Sequence, residues 1–362
     1  MKVAFYVPHL KKVSAITKIA LALEKELTKL GFKVDFILQK ELVEEKILGK
    51  ILFLRSKNDL GRAKEIKEIS KNYELILGFM LPMTNVLAFS RLLGNKKPLI
   101  GSIHNNDHYL KYGKAFYLPS RLVQRFLFER LDKIVVVSEA VRQDLKKTYW
   151  ISEEKVITIY NPIDVDEIRE QAQEEVEEKY KKIFEKPVIV NVGRLHKQKG
   201  QWHLLKIFKM LLESGEDLNL LILGDGELRD YLVNLSKDLG IQNRVFFLGF
   251  QKNPYKFVKR SKVFVFTSLW EGFGNAIVEA MALGIPFVAS DTQVGYKEVI
   301  NGGGFFANLG NYEDFVEKIR KLLKDEELYK KLSEEAIKIS EKFRPSKVAV
   351  EYAKLFESVR HG

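Results

Sequence analysis

At 362 residues the chain is longer than one hydrophobic core usually supports, so two domains of about 150 to 200 residues are expected. Its 46% hydrophobic content can fill two cores, while the absence of cysteine excludes disulfides, thiolate metal sites and cysteine nucleophiles. The net charge of +12 sits almost wholly in residues 1–165, which carry 29 Lys and Arg against 18 Asp and Glu, where the remainder carries 31 against 30.

Three readings fit that asymmetry: a nucleic-acid partner, an anionic membrane or phosphorylated acceptor, and a merely lysine-rich surface. No nucleic-acid-binding module is recognisable, so nucleic acid is not expected as a partner. No apolar run approaches the ~18 residues of a membrane span, and Met1 to Pro8 is too short for a secretory apolar region. A cytoplasmic location is expected, with peripheral contact to the inner face of the membrane as a secondary reading.

Short apolar strands alternate with amphipathic helices, the pattern of a parallel sheet covered by helices on both faces. In the first half, strands are predicted at Lys2–Val7, Lys33–Leu38, Leu75–Gly78, Leu99–Ile103 and Lys133–Ser138. A helix is predicted over Thr17–Leu30, with Ile19, Leu23, Leu27 and Leu30 on one face and Gly31 as its stop. A turn at Asn161-Pro162-Ile163-Asp164 and a charged helical stretch to about Lys186 mark the boundary, giving domains 1–165 and 166–344. The second series comprises Val188–Val192, Leu218–Leu223, Val245–Leu248, Val263–Thr267 and Pro286–Ala289. The last helix, about 345–362, is placed to return onto the first domain.

The fold class is therefore α/β, two Rossmann-like doubly wound domains with a cleft between them. Such sheets bind ligands beyond the carboxyl ends of their strands, where glycines admit the backbone and helix N-termini offer N–H groups to phosphate. The second domain carries the clearest chemistry. After its first strand, Gly193 and Gly200 bracket Arg194 and Lys199, two cations suited to a diphosphate leaving group. The next strand ends in Gly224-Asp225-Gly226, which fits close approach to a ribose or base and equally fits a plain turn. Phe250, after Gly249, is a candidate for the nucleobase or for the core. In Ser268-Leu269-Trp270-Glu271-Gly272-Phe273-Gly274-Asn275 a strand end, a glycine-rich turn and a helix start follow one another, with Glu279 further along the helix. Backbone N–H groups of that turn can bind diphosphate or sugar oxygens, and Glu271 and Glu279 can accept hydroxyl hydrogens from hexose and ribose.

These motifs, in this order, resemble the retaining glycosyltransferases of family 4, which have the two-domain GT-B fold. The resemblance rests on the Glu271 to Glu279 constellation, Gly193-Arg194 with Lys199-Gly200, Gly224-Asp225-Gly226, the Val245 to Gly249 strand and the Ala282 to Asp291 segment. It is close over 161–340 and looser before. It implies a hexosyltransferase that moves a hexose or N-acetylhexosamine from a nucleoside diphosphate sugar, UDP-sugar favoured, to a glycan or lipid-linked acceptor in polysaccharide or glycoconjugate synthesis. By the same resemblance, Arg194 and Lys199 neutralise the diphosphate, Glu279 accepts the ribose hydroxyls, Glu271 lies near the hexose, and Gly272, Phe273, Gly274 and Asn275 supply backbone contacts. No metal and no cofactor beyond the co-substrate is expected. The implied mechanism is a front-side displacement in which the leaving phosphate helps deprotonate the acceptor.

In the first half, Gly101-Ser102-Ile103-His104-Asn105-Asn106 ends a strand, and His104 resembles the family histidine that donates to a sugar hydroxyl. His104 and Asn105 are candidates on the acceptor side, as is Ser14. Where many relatives carry paired glycines in the first loop, this chain has Ser14-Ala15 preceded by Lys11-Lys12. Either a lysine compensates by charge or the loop serves the acceptor. Ser138 and the Asp164-Val165-Asp166 triplet read as helix caps, the latter without a metal role.

From Tyr109 to Trp150, the aromatics Tyr109, Tyr112, Phe116, Tyr117, Phe126, Phe128 and Trp150 interleave with Lys114, Arg121, Arg125, Arg130, Arg142, Lys146 and Lys147. That mixture suits an anionic lipid surface, or else a helix core. The competing functions are a sugar-nucleotide epimerase or hydrolase on the same fold and, remotely, a basic nucleic-acid-binding protein.

Overall fold

The structure, a computed structural model, describes residues 1–12, 14–104, 117–291 and 295–360, with the side chains of 117–119 outside the description. It divides into two compact units, residues 1–162 with 343–362, and residues 163–342.

The first unit is built on seven parallel strands: β1 (Lys2–Val7), β2 (Lys33–Leu38), β3 (Ile51–Phe53), β4 (Leu75–Phe79), β5 (Leu99–Ile103), β6 (Lys133–Val136) and β7 (Val156–Thr158). Their order across the sheet is β3-β2-β1-β4-β5-β6-β7. Each of β4 and β5 is buried along its whole length, which is why these segments read as unbroken apolar runs rather than alternating ones. Gly78 and Gly101 face each other across β4 and β5. A Cβ on Gly78 would lie 2.8 Å from Leu87 Cδ1, and one on Gly101 would lie 2.4 Å from Thr84 Cγ2. The missing side chains let helix Met80–Leu92 settle directly onto the sheet.

Helix Ala15–Lys29 buries Ile19, Leu23 and Leu27, but Leu30 is 47% exposed. Leu30 was expected on the apolar stripe; it is the C-cap, and Gly31, at φ 85°, turns the chain away before it can reach the sheet. The last helix, Pro345–Arg360, buries Val348, Ala349, Tyr352, Leu355 and Phe356 in the same core, with Phe356 edge-on to Phe32.

The second unit carries six parallel strands: β8 (Val188–Val192), β9 (Asn219–Leu223), β10 (Val245–Gly249), β11 (Val263–Phe266), β12 (Phe287–Ser290) and β13 (Gly304–Ala307). Their order is β10-β9-β8-β11-β12-β13. The chain winds outward from β8 through β9 to β10 and then returns to β11 on the other side of β8, so the winding reverses between β8 and β11, the place where an open parallel sheet leaves room for a ligand. Among the described residues no helix is long and apolar enough to cross a membrane.

Candidate functional site

The loops after β8 and β11 are stapled together. Leu269 N donates to Gln198 O (2.8 Å), and Gln198 Nε2 donates to Trp270 O (2.8 Å). The buried Thr267 hydroxyl is within hydrogen-bond distance of the carbonyls of Lys199 (3.2 Å) and Gly200 (3.1 Å). Gly200, at φ 59°, admits this contact: a Cβ there would lie 2.4 Å from Thr267 O. Gln198, Thr267 and Ser268 were given no role from sequence, although Gln198 stands inside the Gly193 to Gly200 motif and Ser268 opens the one that runs to Asn275.

This stapling brings Lys199 to Glu271. Glu271 is almost fully buried, and its Oε1 accepts both from Lys199 Nζ and from Ser268 Oγ (2.9 Å). The stem of Lys199 runs over Gly193, whose absent Cβ would sit 3.6 Å from Lys199 Cδ and Cε. Arg194 is exposed and makes no side-chain hydrogen bond or ion pair among the described residues. One cation is thus paired with a carboxylate and the other is not.

Beyond Glu271 the chain turns at Gly274 (φ 80°) into helix Asn275–Ala282. The Phe273 side chain is buried, so this turn presents backbone rather than aromatic surface. Gly274 lies against the ring of Tyr296, whose hydroxyl bonds Ser290. Ser290 in turn donates to Ser268 O (2.6 Å), so β12 braces the turn from behind. Glu279, partly buried on that helix, is hydrogen-bonded to the Tyr255 hydroxyl. Burial, and then the charge of Glu279, push the Tyr255 phenol well above its usual range, which keeps it a donor. Tyr255 is a further residue the sequence did not flag.

Of the two readings of Gly224 and Gly226, a ligand contact or a plain turn, the packing of the turn itself already requires glycine at both. A Cβ on Gly224 would stand 2.0 Å from Gly193 O, and one on Gly226 2.4 Å from Leu195 O. The close approach they permit is to the backbone of the neighbouring loop, fixed by Leu195 N to Asp225 O (2.9 Å) and Gly224 N to Gly249 O (2.8 Å). Phe250 follows Gly249 and is 56% exposed, so of its two readings the core one falls. Among the described residues no three His, Asp or Glu side chains gather as a metal site.

In the first unit, His104 follows β5. Its Nε2 lies 2.9 Å from Ser102 Oγ, its ring stacks on Phe79 (centroids 6.0 Å apart, 16° between planes), and the Asn161 side chain is its other hydrogen-bonding neighbour among the described residues. Burial pushes the imidazole down to about 4, opposed by the smaller effect of the Asn161 side chain. At neutral pH the ring is therefore uncharged. Ser14 caps helix Ala15–Lys29, its Oγ accepting from Thr17 N at 3.5 Å, so its oxygen serves the helix first. Ser138 and Asp164 cap their helices in the same way. Asn105, with Tyr109, Tyr112, Lys114 and Phe116, lies outside the described residues.

Residues 16–167 match the family described as Glycosyltransferase Family 4, and residues 172–339 match that described as Glycosyl transferases group 1. An uncharacterized glycosyltransferase of Methanocaldococcus jannaschii is 37% identical over 180 residues, 49% of this chain; the match spans less than half of that relative, 44% of its length. The N-acetylgalactosamine-N,N'-diacetylbacillosaminyl-diphospho-undecaprenol 4-alpha-N-acetylgalactosaminyltransferase of Campylobacter jejuni is 29% identical, covering 80% of this chain and 79% of its own. Among solved structures, HepE of Anabaena in complex with UDP superposes with a TM-score of 0.82 at 20% identity, over 99% of this chain and all of the other. That likeness is one of fold: two Rossmann-like domains of the GT-B type.

Proposed function

This chain is a glycosyltransferase of the group 1 and family 4 kind, and from that premise we propose that it transfers a hexose or N-acetylhexosamine from a UDP-sugar, with retention of anomeric configuration. The observation that carries the proposal is the stapled pair of loops that sets Lys199 beside Glu271 and leaves Arg194 uncompensated. An incoming diphosphate offers Lys199 a doubly charged partner in place of one carboxylate. Arg194 adds the second cation, and the N–H groups from Gly272 to Asn275 complete the cradle. Displaced from Lys199, Glu271 is free to accept hydroxyl hydrogens of the hexose. Glu279, pre-oriented by Tyr255, accepts those of the ribose, and Phe250 supplies an exposed ring for the base.

In the proposed reaction the acceptor oxygen bonds to the anomeric carbon from the face the diphosphate leaves. The carbon–oxygen bond to phosphate breaks, and the acceptor proton passes to the departing phosphate oxygen. Charge accumulates on that phosphate, where Lys199 and Arg194 stabilise it, so the chemistry calls for no metal. His104, held neutral, contributes an imidazole N–H for a substrate oxygen.

The acceptor is proposed to be a glycan or a lipid-linked saccharide. The Campylobacter relative is named for a diphospho-undecaprenol acceptor. On helix Tyr117–Phe128, Leu122, Val123 and Phe126 are exposed, with Trp150 exposed nearby under the Arg121 guanidinium, 4.4 Å from its ring. Apolar side chains standing out of a basic surface support peripheral contact with anionic lipid.

The test is a panel of nucleoside diphosphate sugars, read first as thermal stabilisation and then as transfer to lipid-linked and free glycans, with the product anomer assigned by NMR. UDP-sugar stabilisation and a retained anomer are expected. Release of free UDP or an isomerised sugar nucleotide with no acceptor product would replace transfer by the hydrolase or epimerase reading.

A further inference from the structure

Arg229 opens helix Arg229–Asp238, just after the Gly224-Asp225-Gly226 turn that follows β9. It is partly exposed, and its side chain makes no hydrogen bond or ion pair among the described residues. The carboxylates next to it in sequence do not neutralise it. Glu227 faces His196, Oε1 to Nε2 3.5 Å, and Asp230 makes no ion pair among the described residues. The guanidinium instead reaches the end of β10: a Cβ on Gly249 would have one atom within 4 Å among the described residues, Arg229 Nη1 at 3.5 Å. An unpaired cation thus stands beside the residue that precedes the exposed Phe250.

The end of β10 is built to hold that place in shape. Leu248 is an extra residue in the ladder between β9 and β10, where Phe247 pairs with Ile222 and Gly249 with Leu223. A bulge of this kind re-aims the side chains that follow it. Gln251 Nε2 donates to Leu248 O (2.7 Å), Gly224 N donates to Gly249 O (2.8 Å), and Gly249 takes φ 68°. Further along the same segment is Tyr255, the hydrogen-bond partner of Glu279. Phe250 and the support of the proposed ribose acceptor therefore belong to one short stretch of chain. The end of β10 is two strands from that of β8, about 10 Å at the usual strand spacing, which is within a nucleoside's reach of Arg194 and Lys199.

We propose that Arg229 determines which nucleobase the donor carries, donating to a keto oxygen on the edge of the base remote from the ribose while the base lies on the Phe250 ring. The proposal rests on the donor being a nucleoside diphosphate sugar bound at this sheet, and adds the class of base. A guanidinium has five N–H donors and no acceptor, so the edge it meets must present an oxygen. On the edge far from the sugar, uracil offers O4 and guanine O6, whereas cytosine and adenine offer an amino group, and two donors cannot pair. Glu279 marks the ribose end of the segment and Gly249 the opposite end, so the far edge is the one that Arg229 meets. Its place at the end of β10, rather than β8, separates it from the cations that serve the diphosphate.

Calorimetric titration of UDP, GDP, CDP, ADP and inorganic diphosphate into the full-length protein tests this, in the wild type and in Arg229→Met, which keeps the stem and removes the donors. The wild type is expected to bind UDP or GDP at least about tenfold tighter than CDP and ADP. In Arg229→Met the preference is expected to vanish, the keto nucleotide losing about tenfold while CDP and inorganic diphosphate hold within about twofold. Arg229→Gln, which keeps an amide donor, is expected to restore part of it. Equal losses for UDP and CDP, or a loss for inorganic diphosphate as large as that for UDP, would make Arg229 a phosphate cation and overturn the proposal. A wild type indifferent to the base overturns it as well. Tighter binding of GDP than of UDP supports the part given to Arg229 and replaces only the UDP of the proposed donor. A wild type that binds inorganic diphosphate and gains nothing from any nucleoside overturns this proposal alone; one that binds none of these ligands overturns the donor site with it.

Discussion

Lys199 and Glu271 form a partly buried ion pair across two strand ends, with Ser268 sharing the same carboxylate oxygen. The pair ties the two loops together and must open for a diphosphate to take the lysine. Lys199→Ala is expected to abolish UDP binding by calorimetry and to cut transfer by about 100- to 1,000-fold, as loss of a transition-state cation does. Glu271→Gln is expected to separate the two steps. UDP binding should hold or improve, because the lysine is released, while transfer falls. Unchanged transfer in both variants would refute the site.

Tyr255 and Glu279 provide a graded test of the ribose contact. Replacing Glu279 with Gln removes a charged acceptor, worth about 1.5 to 3 kcal/mol, so UDP affinity should fall at least tenfold. Tyr255→Phe leaves the carboxylate but frees it to rotate, and is expected to cost about 1 kcal/mol of the same affinity. Titration of UDP against both variants distinguishes the two.

Gly224 is expected to tolerate nothing larger than hydrogen. Its φ is 137°, and an alanine methyl would stand 2.0 Å from Gly193 O, so Gly224→Ala should lose about 3 kcal/mol of stability. At Gly215, φ 87° with open space around it, the same change should cost only the left-handed strain of about 1 to 2 kcal/mol. Urea denaturation of the two variants reads the difference.

His104 makes the fold sensitive to mild acid. Its folded-state value of about 4 lies below that of the unfolded chain, so unfolding takes up a proton as pH falls from about 6.5 toward 4. Stability from this residue is intact above that window and is progressively lost through it. Thermal melts from pH 7.5 to 5 should show a steeper decline for the wild type than for His104→Gln, by the equivalent of one proton.

The exposed face of helix Tyr117–Phe128 predicts lipid binding that depends on apolar insertion as well as charge. Leu122→Asp with Phe126→Asp removes two side chains worth about 2 kcal/mol each if buried in lipid, so flotation with anionic vesicles should fall more than tenfold. Equal flotation of wild type and double variant would sink the membrane reading, as would no binding of the wild type at low salt.

Strands β1, β2, β5 and β8 run where their apolar segments predicted, because a strand buried on both faces writes itself as a continuous apolar run. The edge strands β3, β7 and β13 were missed. Each is three or four residues long and largely half-buried, too short and too mixed to stand out from a loop. In the candidate site, the cations, glutamates and glycines were legible because phosphate and polyol chemistry demands those residue types. Gln198, Thr267, Ser268 and Tyr255 were not, since a neutral hydroxyl or amide carries no signal until its partner is known.

The chain itself determined that there are two parallel α/β domains and that one of them offers two cations, two carboxylates and a glycine-rich turn at its strand ends; periodicity and residue chemistry are local properties. Only the tertiary structure decided that Lys199 rests on Glu271 and that Gly224 and Gly226 make room for backbone. Each of those contacts joins loops that follow neighbouring strands, and which strands are neighbours is a property of the sheet order and not of any local stretch of chain.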